Sequence, residues 1–139
     1  ETKLIFEPTS FQHLAGMSYR YDEKKQYLCA VTHDEVKGRV VQVLTIMPEG
    51  FTRDMEYILT GQKDEPVWIK LEVNGAKGFF WISEDGAAWH QMRPQLDASK
   101  LSDEYDHQGF TGAFAGMYCG DFVRYSHAAD FEYFRYTGV

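Results

Sequence analysis

The segment from Val67 to Val73 constrains this chain more than any other. Val67, Ile69, Leu71 and Val73 fall on one side of an extended backbone, and Lys70 and Glu72 fall on the other. A period of two is the signature of a strand with one face against a core. Trp68 joins the polar side, so that second face is not wholly bathed in water. Asn74-Gly75 follows, a dipeptide that tolerates positive φ and suits a reversal of direction. Phe79 to Ser83 reads as the return strand, and Glu84-Asp85-Gly86 as the next turn.

The same pattern recurs along the chain. Leu4 and Phe6 alternate with Lys3, Ile5 and Glu7 before Pro8 interrupts. Leu14 to Tyr21 and Gln26 to Val31 are two further strands, joined by the charged turn Asp22-Glu23-Lys24-Lys25. Arg39 to Met47 is almost all β-branched or apolar, which fits a strand covered on both faces. Met55 to Leu59, Ala113 to Cys119 and Ala129 to Tyr136 complete the set. Nothing is helical over three turns; Asp97 to Tyr105 holds at most one turn, capped by Asp97 or Ser99. About nine or ten short strands with regular turn signals predict an all-β fold. The expected architecture is a two-sheet antiparallel β-sandwich of jelly-roll type, one domain over residues 1–139 with no repeat and no linker.

Composition sharpens this. Aromatic residues make up 16% of the chain, and such rings supply large buried areas that strands accommodate well. Phe6, Trp81, Phe114 and Phe131 are the expected core rings among them. The formal charge of -7 repels phosphates, which excludes nucleic acid and anionic membrane as natural partners and leaves an uncharged ligand such as a sugar. No apolar run approaches the roughly 20 residues of a membrane-spanning helix. Cys29 and Cys119 are too few for a secreted disulfide scaffold, so two buried free thiols are expected. The chain starts without Met and goes straight into alternation, as a piece cut from a longer polypeptide would, so a leader cannot be assessed.

Catalytic patterns are sparse. Most carboxylates cluster in turns, at Asp22-Glu23, Asp34-Glu35, Asp64-Glu65 and Asp103-Glu104, where solvated polar groups belong. Asp130 and Glu132 share one face of the last strand between aromatic neighbours. They are the one pair for a self-contained glycosidase, or for an oxygen cage around a structural calcium ion. A strand-edge salt bridge or plain exposure is the simpler reading. His13, His33, His90, His107 and His127 show no metal-ligand spacing, no Gly-X-Ser-X-Gly elbow occurs, and no phosphate-loop spacing occurs. No catalytic residue, metal ligand or cofactor is therefore assigned. Ser83-Glu84-Asp85-Gly86-Ala87-Ala88-Trp89 resembles the turn called an Asp box, with Asp and Ser bonding turn amides, Gly at positive φ and Trp over the turn. Its work is hairpin building.

Asp106-His107-Gln108-Gly109-Phe110-Thr111-Gly112-Ala113-Phe114 says more. Phe110 lies between two glycines just ahead of a strand, where a large ring is awkward to bury. Either it folds back as a lid on the core, or it stands out for a sugar to stack against.

At these residues a resemblance emerges. The run from Phe110-Thr111-Gly112-Ala113-Phe114 through Cys119, followed by Ala128-Ala129-Asp130-Phe131-Glu132-Tyr133-Phe134, resembles the carboxy-terminal signature of family-43 glycoside hydrolases of the β-xylosidase type. Leu96 to Tyr105, Phe6-Glu7-Pro8, Ala15-Gly16-Met17 and Tyr27-Leu28 follow that family's order, so the likeness runs over essentially the whole chain. It implies a concanavalin A-like β-sandwich appended to a five-bladed catalytic propeller that this chain does not contain. It implies no hydrolysis by this chain alone, and an accessory role in removing terminal xylose from xylo-oligosaccharides. Phe110 is by position the ring such domains present at the mouth of the propeller's pocket. The partners implied are that propeller, in the same polypeptide, and a xylo-oligosaccharide. An independent carbohydrate-binding module for xylan is the alternative. Reduced cysteines and the family's use of imported oligosaccharides point to the cytoplasm. Two departures stand out. The family's sandwich is longer at its amino end, so an unpaired sheet edge is expected that could recruit a second chain into a homo-oligomer. Asp121 to His127 is more aromatic and basic than expected at that place.

Overall fold

A computed structural model describes residues 1–102 and 112–138. The strands are β1 (Thr2–Ile5), β2 (His13–Asp22), β3 (Lys25–Asp34), β4 (Gly38–Met47), β5 (Gly50–Ile58), β6 (Val67–Asn74), β7 (Lys77–Ser83), β8 (His90–Gln91), β9 (Leu96–Asp97), β10 (Phe114–Asp121) and β11 (Asp130–Phe134). A six-stranded sheet runs β11-β1-β6-β7-β8, with β9 also pairing β7, and a five-stranded sheet runs β10-β2-β3-β4-β5. Every pairing is antiparallel. The all-β sandwich expected from alternation is what forms.

Strand parity decides what enters the core. From the six-stranded sheet come Leu4, Val67, Ile69, Phe80 and Ile82, joined by Phe6 just beyond β1; from the other come Ala15, Met17, Tyr19, Cys29, Val31, Val41 and Val43. Burial of these side chains, each worth about 1.5–3 kcal/mol for the larger ones, holds the sheets together. The strand read as covered on both faces is so over its middle. Val41 and Val43 face the core, while Leu44 joins Leu28 and Ala30 in a small outer cluster under Leu14 and Tyr118. The β6–β7 hairpin forms as expected, but Asn74 is still paired, to Lys77, and the reversal falls at Gly75-Ala76. Gly75 supplies the left-handed backbone, at φ 61°. Asp97 caps a single 3-10 turn, Ala98–Leu101, by accepting from the Ser99 amide.

Three burial expectations are corrected. Trp81 pairs opposite Lys70 on the outer face of its sheet and is half-buried, not a core ring. Phe114 is 56% exposed because it lies opposite Arg20, on the outer side of an end strand. Cys119 is a free thiol as expected but is exposed, whereas Cys29 is buried. Burial pushes the Cys29 thiol far up its range. Phe6 and Phe131 do pack in or against the core. The two-residue strands β8 and β9 are too short for any periodicity to announce.

Candidate functional site

Phe110 lies outside the described residues, as does the Asp103-Glu104 pair. The posts on either side of that connection are firmly built. On one side the Tyr27 hydroxyl donates to the Asp97 carbonyl at 3.1 Å and accepts from the Asp97 amide at 3.2 Å. Leu101 is buried and the Ser102 hydroxyl donates to the Ser99 carbonyl. On the other side Phe114 opens β10 against β2. The connection therefore leaves from beside β9, on the six-stranded sheet, and lands on the end strand of the other.

Asp130 and Glu132 form no catalytic pair. Glu132 is held by Lys3 at 2.9 Å, and Asp130 lies exposed opposite Ile5. This is the strand-edge salt bridge of the simpler reading, and such exposed pairs contribute little. Among the described residues no three His, Cys, Asp or Glu side chains converge where a metal ion could sit. The turn acids do local work: the Asp22 carboxylate accepts from the Lys24 and Lys25 amides, and that of Asp34 from Val36 and Lys37.

The Asp box builds its hairpin as expected. Asp85 accepts from the Ala87 and Ala88 amides at 2.8 Å and Ser83 from Gly86 at 2.9 Å, which holds the Asp85 carboxyl below its ordinary range. The ring over the turn is Trp68, however, against which Gly86 packs at φ +78° with no room for a side chain. Trp89 lies instead over the Lys70 ammonium, which Trp81 flanks on the same outer face. Lys3 sits 5.1 Å from the Trp68 ring. All three tryptophans thus share the outer face of the six-stranded sheet.

A polar cluster that the histidine spacings did not reveal closes one end of the sandwich. His13 opens β2 and His127 precedes β11, yet their rings stack at 4.1 Å. Thr9 donates its amide to His13 Nδ1, leaving Nε2 to face Asp121 at 3.4 Å; His127 Nε2 donates to the Glu7 carbonyl at 2.6 Å. Asp121 gathers the amides of Ser126, Val123, Arg124 and His127, and the loop doubles back to do so with Tyr125 at φ 57°. These amides, Ser126 first, hold the Asp121 carboxyl far below the usual carboxylate range. A carboxylate that binds a proton so weakly is no general acid or base near neutral pH. The cluster is a clamp that fastens the β10–β11 connection to β2. Its only trace in the sequence is the aromatic and basic character of Asp121 to His127.

Comparison with known proteins follows the same outline. Residues 1–137 match the family model of the β-xylosidase C-terminal concanavalin A-like domain. The chain is 33% identical to a putative β-xylosidase of Escherichia coli, over 100% of this chain and 27% of that protein. It is also 33% identical to a β-xylosidase of Bacillus subtilis, over 98% of this chain and 26% of that one. The crystal structure of xylan β-1,4-xylosidase from Bacillus halodurans superposes with a TM-score of 0.86 at 28% identity, covering 94% of this chain and 25% of that chain. The chain spans about a quarter of the length of each of these relatives.

Proposed function

Because the chain belongs to the family of β-xylosidase C-terminal concanavalin A-like domains, we propose that it is the accessory sandwich of a xylosidase-type glycoside hydrolase. In this reading it packs on the catalytic propeller of its own polypeptide and helps close the pocket over the end of a xylo-oligosaccharide. Its quarter share of the relatives' length carries the proposal, since a whole glycosidase of this type needs the remainder. Phe110 is the residue proposed to meet the substrate. A ring closing the pocket excludes water and long polymers, which favours removal of one terminal sugar.

The test is Phe110→Ala in the polypeptide that includes the catalytic domain. An aromatic contact worth on the order of 1.4 kcal/mol predicts about a tenfold loss of kcat/KM on xylobiose. An unchanged kcat/KM removes Phe110 from the pocket. A second reading, an independent carbohydrate-binding module, is favoured by the common outer face of Trp68, Trp81 and Trp89. It predicts heat of binding and altered tryptophan fluorescence when the 139-residue chain meets millimolar xylo-oligosaccharide. Silence in both measurements disposes of it.

A further inference from the structure

β10 and β11 are end strands of the two sheets, and they touch. Register places Ala115, Met117 and Cys119 on the same face as Tyr19, Met17 and Ala15 of β2. That face is the core face. The β2 residues are buried, but on β10 Met117 is 52% exposed, and Cys119 and Ala115 are exposed too. Phe134 of β11, level with the buried Thr2, is 38% exposed. A strip of core face therefore runs out beyond the cover of the opposing sheet. Beside it, the outer edge of β11 has no partner strand among the described residues.

We infer that an extended segment of the longer polypeptide, outside these 139 residues, adds as a strand to the open edge of β11 and closes over Ala115, Met117 and Cys119. The inference rests on the reading of this chain as one domain of such a polypeptide. The uncovered strip is one strand wide, and a strand added about 4.8 Å beyond β11 has the matching width. The edge also lacks the usual guards. Asp130-Phe131-Glu132-Tyr133-Phe134 contains no proline and no lysine, and three of its residues are aromatic.

The source of the strand follows from position and length. The amino group of Glu1 donates to the Arg135 carbonyl at 2.9 Å, at the end of β11, so polypeptide joined to Glu1 sets out from the foot of the open edge. The relatives carry about three quarters of their length outside the matched part. A second copy fits worse, because β11 paired with itself in full register sets Glu132 against Glu132. The incoming strand should alternate, with apolar side chains toward Met117.

Thiol reactivity reads the outcome directly. Maleimide should modify Cys119 in the 139-residue chain and do so at least roughly tenfold more slowly in the full encoded polypeptide. Cys29 stays protected in both and serves as the reference. Hydrogen exchange at Phe134 should slow in parallel, because pairing ties up amides that mere covering leaves free. Met117→Asp should be tolerated in the short chain and lower the melting temperature of the full polypeptide. Equal Cys119 rates in the two proteins overturn the inference. So does protection of Cys119 with unchanged exchange along β11, which marks a packed surface and not a strand. Protection that grows with concentration of the short chain, with a dimer in sedimentation, marks a second copy and overturns it too. None of these readouts depends on Phe110, so the pocket proposal stands or falls separately.

Discussion

Cys29 and Cys119 lie in one sheet, on one face, two strands apart, and could hardly be more different. Cys29 sits on β3 with strands on both sides and an opposing sheet above it; Cys119 sits on β10 with a neighbour on one side only. The residue types along the two strands do not account for this. β3 reads Lys25-Gln26-Tyr27-Leu28-Cys29-Ala30-Val31 and is buried throughout that run, lysine and glutamine included. β10 reads Phe114-Ala115-Gly116-Met117-Tyr118-Cys119 and is exposed or half-exposed throughout. Place in the sheet outweighs hydrophobicity.

The widest gap between the two regions should appear in truncations. Phe80→Ala, at a fully buried ring packed in the core, should cost about 3–5 kcal/mol in urea unfolding, whereas Met117→Ala should cost less than about 1 kcal/mol in the same chain. Similar losses at both positions would mean that the β10 strip is covered after all. Glycines give the next contrast. A Cβ at Gly16 on β2 would lie 2.0 Å from the Cys29 carbonyl oxygen, and one at Gly116 on β10 would meet nothing within 4 Å. Gly16→Ala should therefore cost about 3 kcal/mol or more, and Gly116→Ala should stay within about 0.5 kcal/mol. Near-equal melting temperatures for the two variants would contradict that packing.

Thiol chemistry compares the regions without mutation. Cys119 should react with a disulfide reagent at least roughly a hundredfold faster than Cys29, which must wait for the sheet to open. Burial raises the Cys119 thiol somewhat, so the rate should climb with pH above the ordinary thiol range. The smallest effect concerns the clamp at the end of β10. Asp121 is held far below the roughly 3.9 of an unfolded aspartate, so its contribution is complete above about pH 4 and drains away as pH falls toward the folded value. Asp121→Asn should flatten the fall of the urea midpoint between about pH 4 and pH 2. A midpoint that falls as steeply in the variant would show that other carboxylates govern acid unfolding.

Much of the fold was legible because alternation reports face. It placed Leu4, Phe6, Ile69 and Val67 inside, and Lys70 and Glu72 outside, and it located the β6–β7 hairpin within one residue. Alternation does not report whether the facing layer extends far enough to cover a given strand, which is why Phe114 and Cys119 were misplaced. Trp81 failed for another reason: a large ring on the polar face of a strand looks like core until its partner across the sheet is known to be Lys70. The His13–His127 stack was illegible because the partners are distant in the chain, and only the pairing of β10 with β2 brings them together. Phe110, the residue proposed to meet substrate, rests on the Gly-Phe-Thr-Gly context alone.

The hydrogen bonds that tie Glu1 to Arg135 carry a mechanical consequence. Because β1 and β11 are antiparallel, both leave the sandwich at the same end. Tension applied between Glu1 and Arg135 would load their ladder one rung at a time, as a zipper opens, and not all rungs together in shear. The β1–β11 seam is thus the place where a pull on the joint between this sandwich and its neighbour would first be felt, while the long ladders of β2, β3 and β4 stand behind it unloaded.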